Sequence, residues 1–521
     1  MNKQQHRFFL GRCFHLKGVI VKSMKFAIKN ERLISSFLET DTSISFTPIS
    51  MLDIPPQPPL QRDYPFLIDL QIFLSGRQLL LDEIPFSFTI LYEHYLHGYI
   101  QFLKGIVKEN NRLRCNRCGT IEYHLFSSFL CARCQQTCNY CRNCIMMGRV
   151  SECTPLLVWT GSHPQQNSYK GLQWKGELSP PQKEASDRIV DAIEKRGSLL
   201  VWAVCGAGKT EMLFEGIDYA LSNDKRVGIA TPRTDVVLEL TPRLKEAFPS
   251  ASISSLYGGS EDRHRYSEIT ITTTHQLFRF NRAFDVVIVD EVDAFPYSAD
   301  QSLQFAVKKA MKENATNIFL TATPQKQWQI ECNSGKRNHI IIPARYHRQP
   351  IPIPRFEWCG NWKEKLEKNY VPGNIRQWVE KRMELSKQAL IFFPKIHVME
   401  QALPLFREIC PMIDSVHSED PKRKEKVMSM RNGDLQLLLT TTILERGVTI
   451  PNIDVAVVGA DDQIFTESAL VQIAGRVGRS AHFPTGDIVF FHYGKTKAMI
   501  EARNQLLRMN RLAAKRGLID E

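Results

Sequence analysis

The 521-residue sequence contains no run of about 18 uninterrupted apolar residues, the length that a membrane-spanning helix requires. Its N-terminus also lacks an apolar stretch followed by the small residues of a signal-peptide cleavage site. We therefore expect the protein to stay in the cytosol. Low-complexity arrays and short-period repeats are absent as well, which argues against a repeat solenoid.

The composition is that of a globular protein, with 43% hydrophobic and 23% charged residues. Its length predicts about three domains at roughly 150 residues each. Acidic residues are the scarcer charged class: 55 Asp and Glu face 67 Lys and Arg, giving a net charge of +12. Such an excess favours a polyanionic partner, either nucleic acid or an anionic membrane surface.

Apolar strand candidates alternate with helix-period segments from residue 178 onward, which predicts an α/β fold with parallel sheets. A proline-broken segment at 350–354 separates two sets, so we predict one lobe at 178–345 and a second at 356–521. A small mixed α+β domain (1–110) and a cysteine-rich module (111–155) precede them. The predicted strands are 199–204, 227–230, 269–273, 286–290, 318–321, 389–393, 435–440, 455–458 and 488–492.

A glycine-rich segment, Cys205-Gly-Ala-Gly-Lys-Thr210, follows the first of these strands and precedes a helical pattern. Gly206 and Gly208 let successive backbone N–H groups converge on phosphate oxygens. Lys209 reaches the outer phosphates, and Thr210 supplies a hydroxyl to Mg²⁺. A chance turn is the alternative, since Ala203 stands where the strict motif has glycine. The predicted nucleotide contacts are Ala203, Val204, Cys205, Gly206, Ala207, Gly208, Lys209 and Thr210.

An apolar strand candidate further along the chain ends in the acidic segment Asp290-Glu-Val-Asp293. Carboxylates at the carboxyl end of a parallel strand lie beside the nucleotide crevice. Asp290 can hold Mg²⁺, and Glu291 can orient and deprotonate the water that attacks a phosphoanhydride. Asp293 would assist them. A solvated helix start is the alternative, but it does not account for Lys209 in the same chain.

The second lobe contains Gln472-Ile-Ala-Gly-Arg-Val-Gly-Arg479. Arg476 and Arg479 are spaced to share one face of a helix, and planar guanidinium groups suit the charge of a transferring phosphoryl group. We therefore predict that both act as arginine fingers and include Gln472 among the catalytic candidates. The alternative is a pair of ordinary surface arginines.

Five segments occur in the order characteristic of superfamily 2 helicases, which the chain resembles from about residue 178 to 493: 203–211, Asp290-Glu-Val-Asp293, Thr321-Ala-Thr-Pro324, 440–447 and 472–479. The resemblance implies two RecA-like lobes with ATP in the cleft between them, and hydrolysis stimulated by single-stranded DNA. It implies that Gln182 contacts the adenine, and that Thr321 and Thr323 couple hydrolysis to strand movement. It further implies strand contacts from Thr231, Arg233, Thr273 and Thr274.

Seven of the thirteen cysteines lie between residues 115 and 144, a density typical of a metal site in a cytosolic chain. Two C-x-x-C knuckles, Cys115/Cys118 and Cys141/Cys144, would give Zn²⁺ four thiolates. Cys131 and Cys134 form a third knuckle, with Cys138 and His124 or Cys153 as possible partners. One site with spare thiols and two adjacent sites both remain open.

Basic and aromatic residues alternate around these cysteines, which favours a grip on unpaired bases and their phosphates. The alternative is that the aromatic side chains form the small core of the module. The residues concerned are Tyr123, Phe126, Phe129 and Tyr140.

A cysteine module directly before a helicase core is similar to the ComFA family of late competence proteins, over nearly the whole chain. The resemblance implies a DNA-dependent ATPase at the inner face of the cell membrane that draws incoming single-stranded DNA into the cytosol. It implies ComFC, DprA and the ComEC channel as partners, and a zinc site of four cysteines. Cys131, Cys134 and Cys138 are not needed for that site.

Three alternatives remain. A PriA-like replication-restart helicase also combines zinc with such a motor, but its cysteines lie inside the second half of the motor. A DNA-binding scaffold with a decayed nucleotide site would not retain Lys209, Glu291, Arg476 and Arg479 together. A protein-translocating motor would need a preprotein-binding insertion, for which the sequence offers no candidate.

Overall fold

The computed structural model describes residues 25–39, 42–165, 169–446 and 450–520. Within these ranges the chain forms the following strands: β1 Phe26–Lys29, β2 Arg32–Ser35, β3 Gln78–Leu80, β4 Ile100–Lys104, β5 Ile106–Glu109, β6 Arg112–Cys115, β7 Phe126–Leu130, β8 Thr137–Cys141, β9 Pro155–Trp159, β10 Ser198–Ala203, β11 Val227–Thr231, β12 Ile253–Leu256, β13 Ile269–Thr273, β14 Phe284–Val289, β15 Met311–Thr321, β16 His339–Ile342, β17 Arg355–Trp358, β18 Gln388–Phe392, β19 Ile413–Val416, β20 Leu437–Thr440, β21 Ile453–Val458 and β22 Ile488–His492.

The α-helices of the described residues are α1 Ile68–Leu74, α2 Phe88–Leu96, α3 Pro180–Glu194, α4 Lys209–Met212, α5 Phe214–Ser222, α6 Thr234–Ala247, α7 Gln301–Ala310, α8 Lys326–Asn333, α9 Trp362–Glu367, α10 Gly373–Glu384, α11 Ile396–Arg407, α12 Arg423–Asn432, α13 Glu467–Ala474 and α14 Lys497–Lys515. None of these helices is both long and apolar enough to cross a membrane.

The chain packs as two compact units. Unit 1 comprises residues up to 171 together with 220–288 and 294–317, and unit 2 comprises 172–219, 289–293 and 318 onward. The division passes through the predicted first lobe, whose residues belong to both units. The phosphate loop, the acidic segment and the entire predicted second lobe lie in unit 2.

Unit 1 begins with an antiparallel sheet in the order β3-β9-β4, in which Leu157 of β9 lies opposite both Leu79 and Phe102. Leu157 and Phe102 belong to a buried apolar cluster that α1 and α2 complete through Leu70 and Leu91. Two antiparallel hairpins, β5–β6 and β7–β8, carry most of the clustered cysteines.

Unit 1 also contains parallel strands in the order β12-β13-β11. β-branched residues dominate β13, which is buried along its whole length as expected for a strand covered on both faces. The amine of Lys309 in α7 joins this region to the N-terminal part. It donates to the Gln78 side chain at 2.6 Å, to the Arg117 carbonyl at 2.7 Å and to the Phe278 carbonyl at 2.8 Å.

Unit 2 contains a sheet in the order β17-β22-β21-β18-β20-β19, in which every neighbouring pair is parallel. Its central strands β21 and β18 are almost wholly buried, and side chains such as Ile391, Phe393 and Val458 form one core with helices α9, α10 and α11. β10 pairs in parallel with β16 in the same unit.

The prediction of parallel-sheet lobes is confirmed, and each predicted strand coincides with an observed one. β15 is longer than expected, because it begins at Met311 rather than 318. Within the two predicted lobes, four further strands, β12, β16, β17 and β19, lie outside the predicted set. β12, β16, β17 and β19 are each only four residues long, and each is a sheet edge.

Candidate nucleotide site and cysteine centre

The loop between β10 and α4 has the backbone conformation of a phosphate cradle. Gly206 and Gly208 adopt φ angles of 83° and 74°, in the left-handed region that residues with a Cβ rarely enter. A Cβ on Gly208 would also lie 2.3 Å from Nε2 of Gln182. The two glycines therefore let the loop curl tightly before Lys209 opens α4.

Gln182 fastens this loop to the start of α3. Its Nε2 donates to the carbonyl of Ala207 at 3.0 Å. Its Oε1 accepts from the backbone N and the hydroxyl of Ser179, at 2.9 and 2.8 Å. A side chain predicted to contact the adenine thus also fixes the phosphate loop, while the adenine contact itself stays a prediction.

The two acidic residues that follow β14 differ in their surroundings. Burial and then the charge of Glu291 raise the pKa of Asp290, Lys209 and Arg446 act in the opposite direction, and the net pKa is about 6. Lys209 therefore lies close enough to Asp290 to act on its charge. A cation bound here would keep Asp290 ionised, as expected of a Mg²⁺ ligand.

Glu291 is held in an unusual conformation, with φ at 55°. Its Oε2 is buried, makes no hydrogen bond among the described residues and lies 3.5 Å from Nη1 of Arg446. A buried carboxylate oxygen without a donor suits the acceptance of a proton from water.

Asp293 is the centre of a hydrogen-bonded cluster. The hydroxyls of Thr321 and Thr323 donate to its two carboxylate oxygens at 2.6 Å each. The hydroxyl of Ser468, at the start of α13, donates at 2.7 Å, and Arg446 donates from Nη2. Residues of both predicted lobes therefore converge on one carboxylate.

Charge and hydrogen bonding keep this cluster ionised. Burial alone would raise the pKa of Asp293, but Arg446 and the threonine hydroxyls hold it well below its usual range. Burial likewise opposes the charge of Arg446, whose pKa Asp293 and Glu291 nevertheless raise. Both side chains are nearly inaccessible, so the pair is a buried ion pair. Neighbouring hydroxyls complete the hydrogen bonds of Asp293, whereas Nε and Nη1 of Arg446 make none among the described residues.

The phosphate loop also touches the predicted arginine segment. The thiol of Cys205 lies 3.0 Å from Oε1 of Gln472, and a Cβ on Gly475 would lie 2.6 Å from the Cβ of Cys205. The side chain of Arg345 lies against Gly206 and donates to the carbonyls of Gly478 and Gly475. Loop and arginine segment therefore form one site in unit 2.

The two predicted arginine fingers are anchored to backbone carbonyls. Arg476 is buried and donates from Nε to the carbonyl of Glu445 at 3.1 Å. Arg479 is partly buried and donates from Nε to the carbonyl of Gly475 at 2.9 Å. Burial and then the charge of the nearby Arg479 lower the pKa of Arg345 to about 10.

Three residues of this site escaped the sequence prediction as individuals. Arg446 lies within the quoted segment 440–447, where the helicase resemblance was the available signal, and Gly447 of that segment lies outside the described residues. Arg345 and Ser468 belong to no segment that the sequence singles out, since a lone arginine or serine carries no local pattern.

The residues predicted to contact the strand lie at the carboxyl ends of β11 and β13 in unit 1. Thr231 and Thr273 are register partners across these strands. The hydroxyls of Thr231 and Thr274 are buried and make no hydrogen bond among the described residues. Arg233 forms an ion pair with Asp235 at 3.0 Å.

A cavity of about 410 Å³ opens beside this edge of unit 1. Its lining combines three arginines, Arg77, Arg263 and Arg279, with the carboxylates of Asp82 and Glu83, and His264, Tyr257, Gln276 and Met146 contribute further surface. Arg263 is exposed, whereas Arg77 is buried and has its pKa lowered to about 9 by burial, then by Arg226 and Arg279. Glu83 forms an ion pair with Arg279 at 2.8 Å, which leaves the exposed Arg263 to face a negatively charged ligand.

Cys115, Cys118, Cys141 and Cys144 form a fully buried tetrad whose sulfurs lie within 4.8 Å of one another. The Cys115–Cys144 and Cys118–Cys141 sulfur pairs are 3.8 and 3.6 Å apart. Tetrahedral Zn²⁺ with Zn–S bonds of about 2.3 Å separates its sulfurs by about 3.8 Å. The tetrad therefore fits a zinc ion.

The thiols of this tetrad shift one another's pKa values. Hydrogen bonds from Cys115, then Cys141 and Cys144, lower the pKa of Cys118 well below its usual range. The same contacts raise the pKa of Cys115 and Cys144. The other predicted candidates, Cys131 and Cys134, belong to a separate group with Cys138 and Cys153, while His124 is exposed and joins neither.

The aromatic side chains of the cysteine module differ in burial, which bears on whether they form its core or offer surfaces for stacking on bases. Phe129 and Tyr140 contact edge to face at 5.5 Å, and Arg149 covers Phe129 at 4.3 Å, so this pair is part of the packing. Tyr123 is 93% exposed and is free to stack.

Three family models match successive parts of the chain. Residues 63–158 match the competence protein ComFA N-terminal domain, 175–326 match the type III restriction enzyme res subunit, and 374–481 match the helicase conserved C-terminal domain. A solved structure, Mycobacterium smegmatis helicase Lhr bound to ssDNA and AMP-PNP, aligns at 18% identity with a TM-score of 0.48, covering 64% of this chain and 50% of that one.

Two curated relatives match over most of their length. Competence protein ComFA of Bacillus subtilis (strain 168) is 50% identical over 457 residues, which are 88% of this chain and 98% of the relative. Competence protein ComFA of Streptococcus pneumoniae is 38% identical over 418 residues, 79% of this chain and 93% of the relative. With helicase models matching the motor, the protein is an ATP-dependent superfamily 2 helicase, and it belongs to the ComFA family of competence proteins.

Proposed function

We propose that the protein is an ATP-driven translocase that pulls single-stranded transforming DNA into the cytosol during natural competence. The observation that carries the proposal is the cluster around Asp293. It joins the acidic segment beside the phosphate loop to Thr321 and Thr323 of one lobe and to Arg446 and Ser468 of the other. A change at the nucleotide is thereby communicated to both lobes.

At the nucleotide end, the loop amides and Lys209 bind the phosphates, and Thr210 and Asp290 hold Mg²⁺. The metal neutralises charge on the phosphates when it is bound. Glu291 accepts the proton of the attacking water through Oε2, which makes no hydrogen bond among the described residues. Arg476 and Arg479 stabilise the charge that develops on the transferred phosphoryl group.

At the coupling step, Gln472 and Arg345 hold the arginine segment against the phosphate loop. Loss of the outer phosphate removes the charge that Arg476 and Arg479 face. The lobes then separate and the Asp293 cluster rearranges, because its donors come from both lobes. Each cycle shifts one lobe along the strand.

At the strand end, we propose that Arg263, which is exposed on the cavity of unit 1, contacts phosphates beside the carboxyl ends of β11 and β13. Arginines that face a phosphate backbone hold it without reading its sequence, as a motor that moves over any DNA requires. The exposed ring of Tyr123 offers one stacking surface on the cysteine module.

We assign zinc to Cys115, Cys118, Cys141 and Cys144, where it has a structural role. The family relationship supports a site of action at the inner face of the cell membrane, with ComFC, DprA and the ComEC channel as partners. Pull-down of each candidate with the purified protein tests these contacts separately from the ATPase.

The test is to measure ATP turnover with single-stranded DNA, duplex DNA and unfolded protein. We expect stimulation by single-stranded DNA and no turnover in Lys209→Ala, while Lys195→Ala, at an exposed lysine, keeps the parent rate. Turnover in Lys209→Ala at the parent rate would refute the nucleotide site. Stimulation by unfolded protein instead of DNA would refute the substrate. Deleting the gene in a transformable host should reduce DNA uptake and leave DNA repair normal.

A further inference from the structure

The cysteines that the first tetrad leaves over form a second, separate tetrad. Cys131, Cys134, Cys138 and Cys153 place their sulfurs within 4.8 Å of one another, and each side chain is at most 2% exposed. The sulfurs of Cys131 and Cys153 are 3.6 Å apart, near the 3.8 Å or so expected around tetrahedral zinc and far from a disulfide bond of about 2.05 Å.

The Cys131 knuckle repeats the backbone of the Cys115 knuckle. In the first, the N–H of Gly119 donates to the carbonyl of Cys115 at 2.8 Å, and the N–H of Cys115 donates to Thr120 at 3.1 Å. In the second, the N–H of Gln135 donates to Cys131 at 2.7 Å, and the N–H of Cys131 donates to Gln136 at 3.0 Å.

Gln135 also adopts a φ of 58° at the position where Gly119 has 75°. Such a conformation is uncommon for a residue with a Cβ, so the loop is held in this shape at some cost. In return, this conformation orients Cys131 and Cys134 in the way that the Gly119 turn orients Cys115 and Cys118.

Packing alone does not explain this second group. The only hydrophobic side chain that joins its buried cluster within the described residues is Phe129, which is itself partly exposed. Four small thiols and one ring bury little apolar surface, too little to order a hairpin in water. A metal ion supplies the missing stabilisation, since structural zinc contributes directly to folding.

The two tetrads are interleaved along the chain. The order of ligands is two from the first, three from the second, two from the first and one from the second. Cys138 and Cys141 both belong to β8 and are three residues apart, so they project from opposite faces of that strand. One hairpin therefore supplies a ligand to each group.

Both knuckles are attached to the same acidic pair. Each has the form Cys-x-Arg-Cys; Arg117 of the first binds Glu83 at 3.0 Å, and Arg133 of the second binds the adjacent Asp82. An ion pair with this acidic pair therefore holds the second knuckle in place, as it does the first.

From these observations we propose that Cys131, Cys134, Cys138 and Cys153 bind a second structural zinc ion. This ion fixes the β7–β8 hairpin, which delivers Cys141 to the first site, and it ties that hairpin through Cys153 to β9. The protein then carries two zinc ions, and the second is independent of the nucleotide chemistry.

The test is zinc stoichiometry of the full chain, purified without added metal, by elemental analysis and native mass spectrometry. We expect two zinc ions per chain, about one in Cys134→Ser, and two in the control Cys332→Ser, which alters a buried thiol in α8. One zinc ion in the parent, unchanged in Cys134→Ser, would overturn the proposal.

Because the sites share β8, Cys134→Ser can fail to fold, so a second measurement uses the parent protein alone. Thiols are alkylated before and after chelation, and the labelled peptides are identified. We expect Cys131, Cys134, Cys138 and Cys153 to react only after chelation, whereas the reactivity of the metal-free buried Cys410 stays constant. Labelling of these four before chelation, with the first tetrad still protected, would contradict a second zinc ion.

Discussion

The guanidinium of Arg446 donates a hydrogen bond to the carboxylate of Asp293, across 153 residues of sequence. Both groups are almost inaccessible, and the hydroxyls of Thr321, Thr323 and Ser468 complete the shell of Asp293. Removing one partner of such a buried ion pair destabilises a protein by more than the intact pair contributes to its stability. The reason is that the remaining charge is buried without water or a partner to solvate it. The pair therefore fixes the relation of the two lobes within unit 2.

Asp293→Asn removes one charge of this pair and leaves Arg446 buried with only its longer contacts to Glu291 at 3.5 Å and Glu445 at 3.4 Å. We expect a loss of about 3–5 kcal/mol in the free energy of unfolding, measured by urea denaturation. Asp434→Asn, at an exposed position, serves as the control and should change stability by no more than about 0.5 kcal/mol. Equal free energies of unfolding for the two variants would mean that the Asp293–Arg446 pair does not stabilise the fold.

The pH dependence of the same variant tests the ionisation of Asp293. Its pKa is held well below the usual range, so its stabilising charge is present above the ordinary carboxylate pKa and is lost only as the pH falls toward the lowered value. The stability difference between parent and Asp293→Asn should therefore stay constant from about pH 8 to 5, and shrink only below about pH 4. A difference that narrows between pH 7 and pH 5 would contradict the lowered pKa.

Glu291→Gln tests the proposed proton acceptor. The amide keeps the shape of the side chain but cannot take a proton, so we expect hydrolysis to fall about 10²- to 10⁴-fold. Binding of a fluorescent ATP analogue should persist, in contrast to Lys209→Ala, which removes a phosphate contact. Phosphate release and analogue binding are measured on the same preparations, and loss of both in Glu291→Gln would point to a structural role instead.

The phosphate loop could be predicted from sequence because its chemistry requires a strand, two left-handed glycines and a lysine in immediate succession. The edge strands could not: β12, with the sequence Ile253-Ser-Ser-Leu256, is half polar and becomes a strand only by pairing with β13. The hydrophobic periodicity of a segment reports which of its residues are buried. An edge strand is buried by elements elsewhere in the chain, so its own sequence carries little of this signal.

The cysteine centre could also be predicted from the sequence only in part. Spacing identifies the C-x-x-C knuckles, because two thiols at that distance can reach one ion. It does not determine which knuckles share an ion, since that depends on how hairpins fold back, and Cys153 joins its group from beyond Cys144 in the chain. Arg345 is a similar case, because its role arises from contact with Gly206 and Gly478, far away in sequence.

Arg263→Ala tests whether the unit 1 cavity contacts DNA phosphates. The side chain is exposed and lines the cavity, so its loss should weaken single-stranded DNA binding uniformly across sequences and reduce the salt slope by about 1. Lys381→Ala, an exposed lysine of α10 in unit 2, is the control for the change in net charge. Fluorescence anisotropy over a salt series measures both, and parallel slopes for parent and Arg263→Ala would rule out a phosphate contact.

Glu83 links the first cysteine knuckle to the motor, because its carboxylate binds Arg117 at 3.0 Å and Arg279 at 2.8 Å. Arg117 is wholly buried, so Glu83→Gln leaves two cations facing each other without an acid between them. We expect unit 1 to lose about 3–5 kcal/mol of stability and to release zinc faster to a chromogenic chelator.

The matched control is Glu109→Gln, which makes the same change in an exposed pair with Arg114 at 2.7 Å. Exposed pairs contribute about 0–1 kcal/mol, because water and salt screen them, so zinc release should stay at the parent rate. If Glu83→Gln released zinc no faster than Glu109→Gln, the knuckle would be held by its metal and backbone alone. In that case Arg279 would have to be positioned by its contact with Gln276 at 2.6 Å rather than by the cysteine module.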